Sequence, residues 1–447
     1  MRRGAACATG APAHSSTCRY TAAVPAQPPS PLPDEAAGRH LTGTPSGSRL
    51  AWAMLLALAS GFTLSQAFRT VAAIMGPSLA AQLQLSPQQL GLWAATFHFS
   101  FGLMQLVMGV SIDVFGVRRT IVWAFPVAVV GGVMSALAPS FGWLLLGQVL
   151  IGSGCAPAFL VCTVFIGRYF PAARFTAVSG LVMSISGLGV LATATPLALL
   201  IELSSWRWGF GVLAALGLLS WAAMLWLVHE PATAVGGAAQ RPSLREAALG
   251  LLSLFRLPHT AGLVAYAAVA YAGFITLRGL WLGPLLIERY GFTLVQAGNV
   301  ALAMTLGSMI SPAVFGRLDP GGARRIRWLV GFAALAAALL ALMAVVHHAA
   351  LDVALALAYG LLSGYGLLQY GYVRDAYPAE MRGRALSLFT MAMFLGIALM
   401  QWLTGLVASL AKAAGGDPFT GALLAMGAMV AGGALLFWKL PRAKLAD

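Results

Sequence analysis

Gly109-Val-Ser-Ile-Asp113-Val-Phe-Gly116-Val-Arg118-Arg119 has a second copy of its core, Asp319-Pro-Gly-Gly322-Ala-Arg324-Arg325, 206 residues downstream. Each copy lies between two long apolar segments. A charged loop repeated at this distance implies that the chain is two copies of one unit. Internal repeats of this kind mark membrane transporters whose site lies between the copies. The repeat runs on beyond the loop. Gly76-Pro77 returns as Gly283-Pro284, Gln89-x-Gly91 as Gln296-x-Gly298, and Arg168 with Pro171 as Arg374 with Pro378, each 206 or 207 residues apart.

Composition excludes a soluble protein. Of 447 residues, 59% are hydrophobic and 9% charged, against about 25% charged in a soluble domain. The net charge of +14 would suggest nucleic acid in a soluble domain, but the basic residues are dispersed among loops, so no nucleic-acid partner is expected. The four cysteines, Cys7, Cys18, Cys155 and Cys162, lack metal-ligand spacing with His and read as free thiols. Neither a metal nor a cofactor is expected.

Twelve apolar segments are each long enough to cross a hydrocarbon core of about 30 Å as a helix. They lie near 51–80, 90–112, 120–139, 143–167, 176–202, 209–228, 259–288, 294–316, 328–347, 351–372, 385–411 and 420–438, and are numbered spans 1 to 12. The expected organisation is a disordered tail (1–49), a six-helix half (50–229), a linker (230–258), a second six-helix half (259–440) and a short tail (441–447). Within the linker, Ser243 to Phe255 is weakly amphipathic and reads either as a membrane-surface helix or as plain linker. With both termini cytoplasmic, only Arg207, Arg289 and Lys412 of the 27 basic residues fall outside, while Arg69 and Arg278 fall within spans. That bias fixes the expected topology. The excess of Arg over Lys, with abundant Ala, matches a GC-rich bacterial genome and so a bacterial inner membrane.

Twelve spans in two parallel halves, with this loop, resemble the major facilitator superfamily from about residue 51 to 440. Its loop motif, roughly Gly-x-x-x-Asp-x-x-Gly-x-Arg-Arg, is matched by Gly109, Asp113, Gly116, Arg118 and Arg119. The resemblance implies that this loop and its copy (Asp319, Gly322, Arg324, Arg325) latch the cytoplasmic ends of the halves, and that spans 1, 4, 7 and 10 line a central cavity. Topology alone would explain the arginines and a turn the glycines, but not the aspartates. Two departures lower the expectation of drug efflux. Gln148 stands where drug and sugar branches often carry Arg, and the Gly187-to-Pro196 stretch lacks the glycine cluster of drug–proton antiporters.

Two charges lie well inside spans, Arg69 in span 1 and Arg278 in span 7, two positions from exact repeat equivalence. A charge at mid-membrane costs at least about 2.5–3.5 kcal/mol, so each should face a cavity or find a partner. All thirteen acids lie in tails, loops or span ends. Two buried cations without a carboxylate imply that the missing negative charge is the substrate, and guanidinium forks suit carboxylate or phosphate. The pair is similar to that of the superfamily's organic-phosphate antiporters. The bland reading is a bond to backbone carbonyls at a helix break, or snorkelling to the interface. Gln66 shares a face with Arg69, His98 lies two turns from Gln105, and Gln369, Tyr370 and Gln401 add polar groups in spans 10 and 11. Each reads equally as helix–helix glue.

The expectation is a monomeric secondary transporter, not an enzyme, that moves a small organic anion across the bilayer by alternating access. Exchange and proton symport, with His98 or the substrate carrying the proton, both stay open. The rival readings are an exporter of hydrophobic compounds and a non-transporting ligand sensor.

Overall fold

The computed structural model describes residues 45–171, 174–229 and 244–443; the expected N-terminal tail through residue 44, most of the linker and the last four residues lie outside them. The described residues are helical without strands. Among the described residues, twelve helices are long and apolar enough to cross a membrane. Spans 1 to 6 are Arg49–Thr70, Pro87–Ile112, Val114–Ala136, Phe141–Tyr169, Ala177–Leu203 and Trp206–Leu227. Spans 7 to 12 are Thr260–Arg289, Leu294–Leu318, Gly322–Val346, Ala349–Ala376, Met381–Ala413 and Pro418–Lys439. Below, the side that carries both ends of the helical body is the termini side, and the other is the far side.

Two pairs of interrupted spans are repeat mates. Span 1 runs as a helix from Pro45 to Thr70, breaks at Val71 and continues as Ala72–Leu83. Its mate, span 7, is wound as wider π turns at Leu277–Trp281 and Leu285–Arg289. Span 4 breaks at Ala156-Pro157, and its mate, span 10, tightens to a 3-10 turn at Ser363–Gly366. Breaks at equivalent places in the first and fourth span of each half put irregular backbone where it can line a cavity. Span 5 breaks too, at Thr193-Ala194 ahead of Pro196.

Local chemistry explains the repeated motifs. Ser86 caps span 2 by accepting from the Gln89 amide at 3.2 Å, while Gln89 Oε1 accepts from the Ser86 amide at 2.9 Å. Thr293 and Gln296 rebuild the same reciprocal cap on span 8 at 3.1 and 2.9 Å. The Gln of each Gln-x-Gly is therefore a helix cap, and its Gly is a contact between halves. Gly91 lies against the Gln401 carbonyl and Gly405, and Gly298 against Thr195. The Gly-Pro repeat works similarly. Pro77 has no N–H to offer the Ala73 carbonyl, and Gly283 of span 7 packs onto that carbonyl so closely that a Cβ there would overlap it.

Further bonds between halves gather toward the far side. The Gln88 amide donates to Ser409 Oγ at 2.8 Å, Thr195 Oγ1 to Asn299 Oδ1 at 2.6 Å, and the Val295 amide to Glu202 Oε1 at 3.0 Å. The last places a carboxylate at the positive N-terminus of span 8. On the termini side, a helix at Leu244–Ser253 follows the undescribed part of the linker and buries Leu251, and the 3-10 turn Leu254–Arg256 after it buries Leu254.

Candidate functional site

Arg69 lies at the end of the first helical segment of span 1, two residues before its break, and is 8% exposed. Its guanidinium sits 5.0 Å from the ring centre of Phe101 in span 2 and 4.7 Å from that of Phe394 in span 11. One ring comes from each half, and the two rings meet at 4.5 Å. Tyr271, Tyr370 and Cys155, from spans 7, 10 and 4, lie within electrostatic range. No carboxylate pairs with Arg69 among the described residues, and its Nε is buried without a partner. The two aromatic faces, worth about 1–2 kcal/mol each when desolvated, and the Tyr271 hydroxyl compensate it in part.

More unpartnered polar atoms surround this cation. His98 is buried, with Nδ1 3.2 Å from the Ala94 carbonyl and Nε2 unbonded. Gln401, from the other half, faces it with both amide atoms unbonded, as is Ser65 Oγ beside Cys155. Both amide atoms of buried Gln369 in span 10 are also unbonded. Buried polar groups normally find partners. A cation and several orphaned donors and acceptors in one aromatic shell describe a site built for a polar anionic guest. Tyr370, next in sequence to buried Gln369, is 42% exposed, with its ring edge-on to Phe389.

The other expected residues fall differently. Gln66 is half-buried one turn from Arg69. Gln105 donates at 3.1 Å to the Ala156 carbonyl at the span 4 break, the packing role weighed against a binding one. Arg278 is fully buried but does not share the aromatic box. Its Nε donates to Thr305 Oγ1 at 3.1 Å and its Nη2 to the Val190 carbonyl of span 5 at 2.9 Å. The span 5 break explains that acceptor: Ala194, which would bond Val190 in a continuous helix, instead reaches Leu191. Arg278 is thus engaged by spans 5 and 8, while Tyr271 lies within electrostatic range of both arginines. The repeat mate of Arg69 is Thr276, and two further positions turn a side chain by about 200°.

Several bonds of the repeated loop lie within each half. Gly116 makes its turn with φ +83°, a region open to glycine. Arg118 donates from Nε to the Val228 carbonyl at 2.6 Å and from Nη2 to Leu225 at 3.1 Å, capping the C-terminus of span 6. In the second copy the other arginine turns inward. Arg325 bridges Asp319, at 2.7 Å, and Asp375 of span 10, at 2.6 Å. Arg119 and Arg324 are exposed, Gly109 sits in span 2, and Gly322 has φ +44°. The Asp113 side chain lies outside what is described.

Phe101 and Phe394 were not anticipated, although spacing carried a signal. Phe101 lies three residues after His98, and Phe394 seven before Gln401, so each shares a helix face with a polar residue.

A family model described as "Major Facilitator Superfamily" matches residues 57–399. A probable sulfoacetate transporter of Cupriavidus necator is 26% identical over 287 residues, covering 60% of this chain and 66% of that one. A hexuronate transporter of Bacillus subtilis is 27% identical over 158 residues, covering 35% and 37%. The chain thus spans less than two thirds of either relative. The crystal structure of a D-xylose–proton symporter superposes with a TM-score of 0.70 at 17% identity, over 88% of this chain and 98% of that one.

Proposed function

The chain belongs to the major facilitator superfamily, and on that premise we infer that it carries a small organic anion across a bacterial inner membrane by alternating access. Arg69 is the anion's anchor. The observation that supports this reading is a buried guanidinium with no carboxylate, ringed by unpartnered polar atoms. An anion accepting both arms of the fork supplies the missing charge, and each charge-assisted bond is worth about 1.5–3 kcal/mol. His98, Gln401, Ser65 and Gln369 then satisfy the neutral oxygens of the guest. Relatives named for sulfoacetate and hexuronate, both acids, agree with this chemistry.

Basic residues gather on the termini side, so that side is cytoplasmic by the positive-inside bias. The bonds between the halves close the far side in the state described here. Arg278 belongs to the seal: it fastens span 7 to the carbonyl freed in span 5. In the outward-open state that bond and the Gln88–Ser409 and Thr195–Asn299 contacts separate, and the repeated loops meet across the inner side as the latch.

Purified protein in liposomes should exchange radiolabelled hexuronate or sulfoacetate, and Arg69→Ala should abolish it. If Arg69→Ala transports as wild type does, the anion site is wrong. Flux of a lipophilic cation instead would favour drug export, and anion binding without flux a sensor.

A further inference from the structure

A groove of about 470 Å³ runs between the linker helix and spans 2, 7 and 11. Its walls are wholly apolar and include Leu106, Leu251, Leu252, Val264, Leu395 and Leu399. Along span 11 it extends from Leu388 to Leu399, a rise of about 16 Å at 1.5 Å per residue. That is the hydrocarbon depth of one leaflet, half of about 30 Å. The linker helix roofs the groove at its shallow end, where Leu252 and Phe255 remain exposed.

The same end is basic. The Arg384 side chain lies over Gly250 of the linker helix, and Arg256 follows Phe255 directly. Both are exposed, and neither forms an ion pair among the described residues. We propose that this groove binds one anionic phospholipid, with an acyl chain between spans 2 and 11 and its phosphate at Arg256 and Arg384. A lipid tail is the occupant that matches an apolar wall one leaflet deep and open to the bilayer. The unpaired arginines select the headgroup. Because the groove joins a wall of the first half (Leu106) to the linker and the second half, bound lipid fastens the linker helix across the moving seam.

Native mass spectrometry of the full-length protein, with dioleoyl phosphatidylglycerol or dioleoyl phosphatidylcholine added in detergent, tests this. Wild type should retain one phosphatidylglycerol about ten-fold more strongly than phosphatidylcholine. The surface pair Arg256→Gln/Arg384→Gln should erase that preference, and Ala248→Trp, which fills the groove, should release lipid of either headgroup. Equal retention of the two lipids by wild type, or a preference that survives the double Gln change, overturns the site. So does undiminished retention by a folded Ala248→Trp protein.

Discussion

Replacing Arg69 by Gln separates a binding cation from a structural one. An uncompensated guanidinium at mid-membrane costs about 2.5–3.5 kcal/mol. Phe101 and Phe394, at 5.0 and 4.7 Å, return about 2–4 kcal/mol between them. The two terms nearly cancel, so Arg69→Gln should leave the unliganded protein within about 1 kcal/mol of wild type, a shift of a few degrees at most. Binding should respond quite differently. Losing one charge-assisted bond of about 1.5–3 kcal/mol weakens the anion roughly 10- to 150-fold. The assay is thermal unfolding in detergent across a hexuronate or sulfoacetate titration, where stabilisation follows the ratio of ligand to Kd. Arg69→Lys keeps the charge but loses the fork and should fall between the two. Two results would refute the reasoning: Arg69→Gln retaining the full anion-induced shift, or its unliganded form losing more than about 3 kcal/mol. The second would make Arg69 a structural strut.

Two other outcomes follow from named contacts. Arg278→Gln removes the bonds to Val190 and Thr305, so a cysteine at Ser409 on the far side, with Cys7 and Cys18 replaced by Ser, should react about ten-fold faster with an impermeant maleimide; an unchanged rate shows that Arg278 does not seal that side. Burial alone would raise the Asp319 carboxyl, but Arg325 and the Gly321 amide hold it below the usual carboxylate range. Its stabilising contribution is therefore complete above the unfolded value near about 4 and is lost as pH falls through the lower folded value. Asp319→Asn should flatten the acid limb of the stability profile, and a parallel curve argues against the Arg325 bridge.

The architecture was legible because duplication writes itself twice. A 206–207 residue register, twelve apolar segments and one-sided basic loops leave few alternatives. Arg69 stood out because a charge inside a span is expensive. Its neighbours did not. Phe101 and Phe394 look like any aromatic on an apolar helix, and only packing shows that their faces hold a cation. The partners of Arg278 were hidden for a different reason. Depth along a span can be read from sequence, but azimuth depends on helical winding, and the π turn at Leu277–Trp281 is invisible in composition. The two-position offset from Arg69 already contained the warning, since side chains two apart on a helix point in nearly opposite directions. The residues of the loop motif recur, but Arg118 turns inward in one copy and Arg325 in the other.

The aromatic box also bears on how an anion could drive the halves. A ligand shifts an equilibrium only through unequal affinity for its two states. Phe101 and Phe394 come from opposite halves, so Arg69 can touch both rings only while spans 2 and 11 are close at its level. In that arrangement the empty cation is compensated. An anion that takes the fork competes with those faces, and the energy it releases is reduced by the contact it displaces. When the halves part at this level Phe394 is lost while Phe101, on the half that carries Arg69, stays, so the empty cation is less compensated and the anion gains more of its bond. A loss of one ring contact, about 1–2 kcal/mol, therefore becomes a penalty of roughly 5- to 30-fold on moving through the cycle unloaded. Phe394→Leu removes the contact in one state and should bring the unloaded and loaded rates together, turning strict exchange toward leak. If exchange stays as tightly coupled in Phe394→Leu as in wild type, the coupling lies elsewhere in the seam.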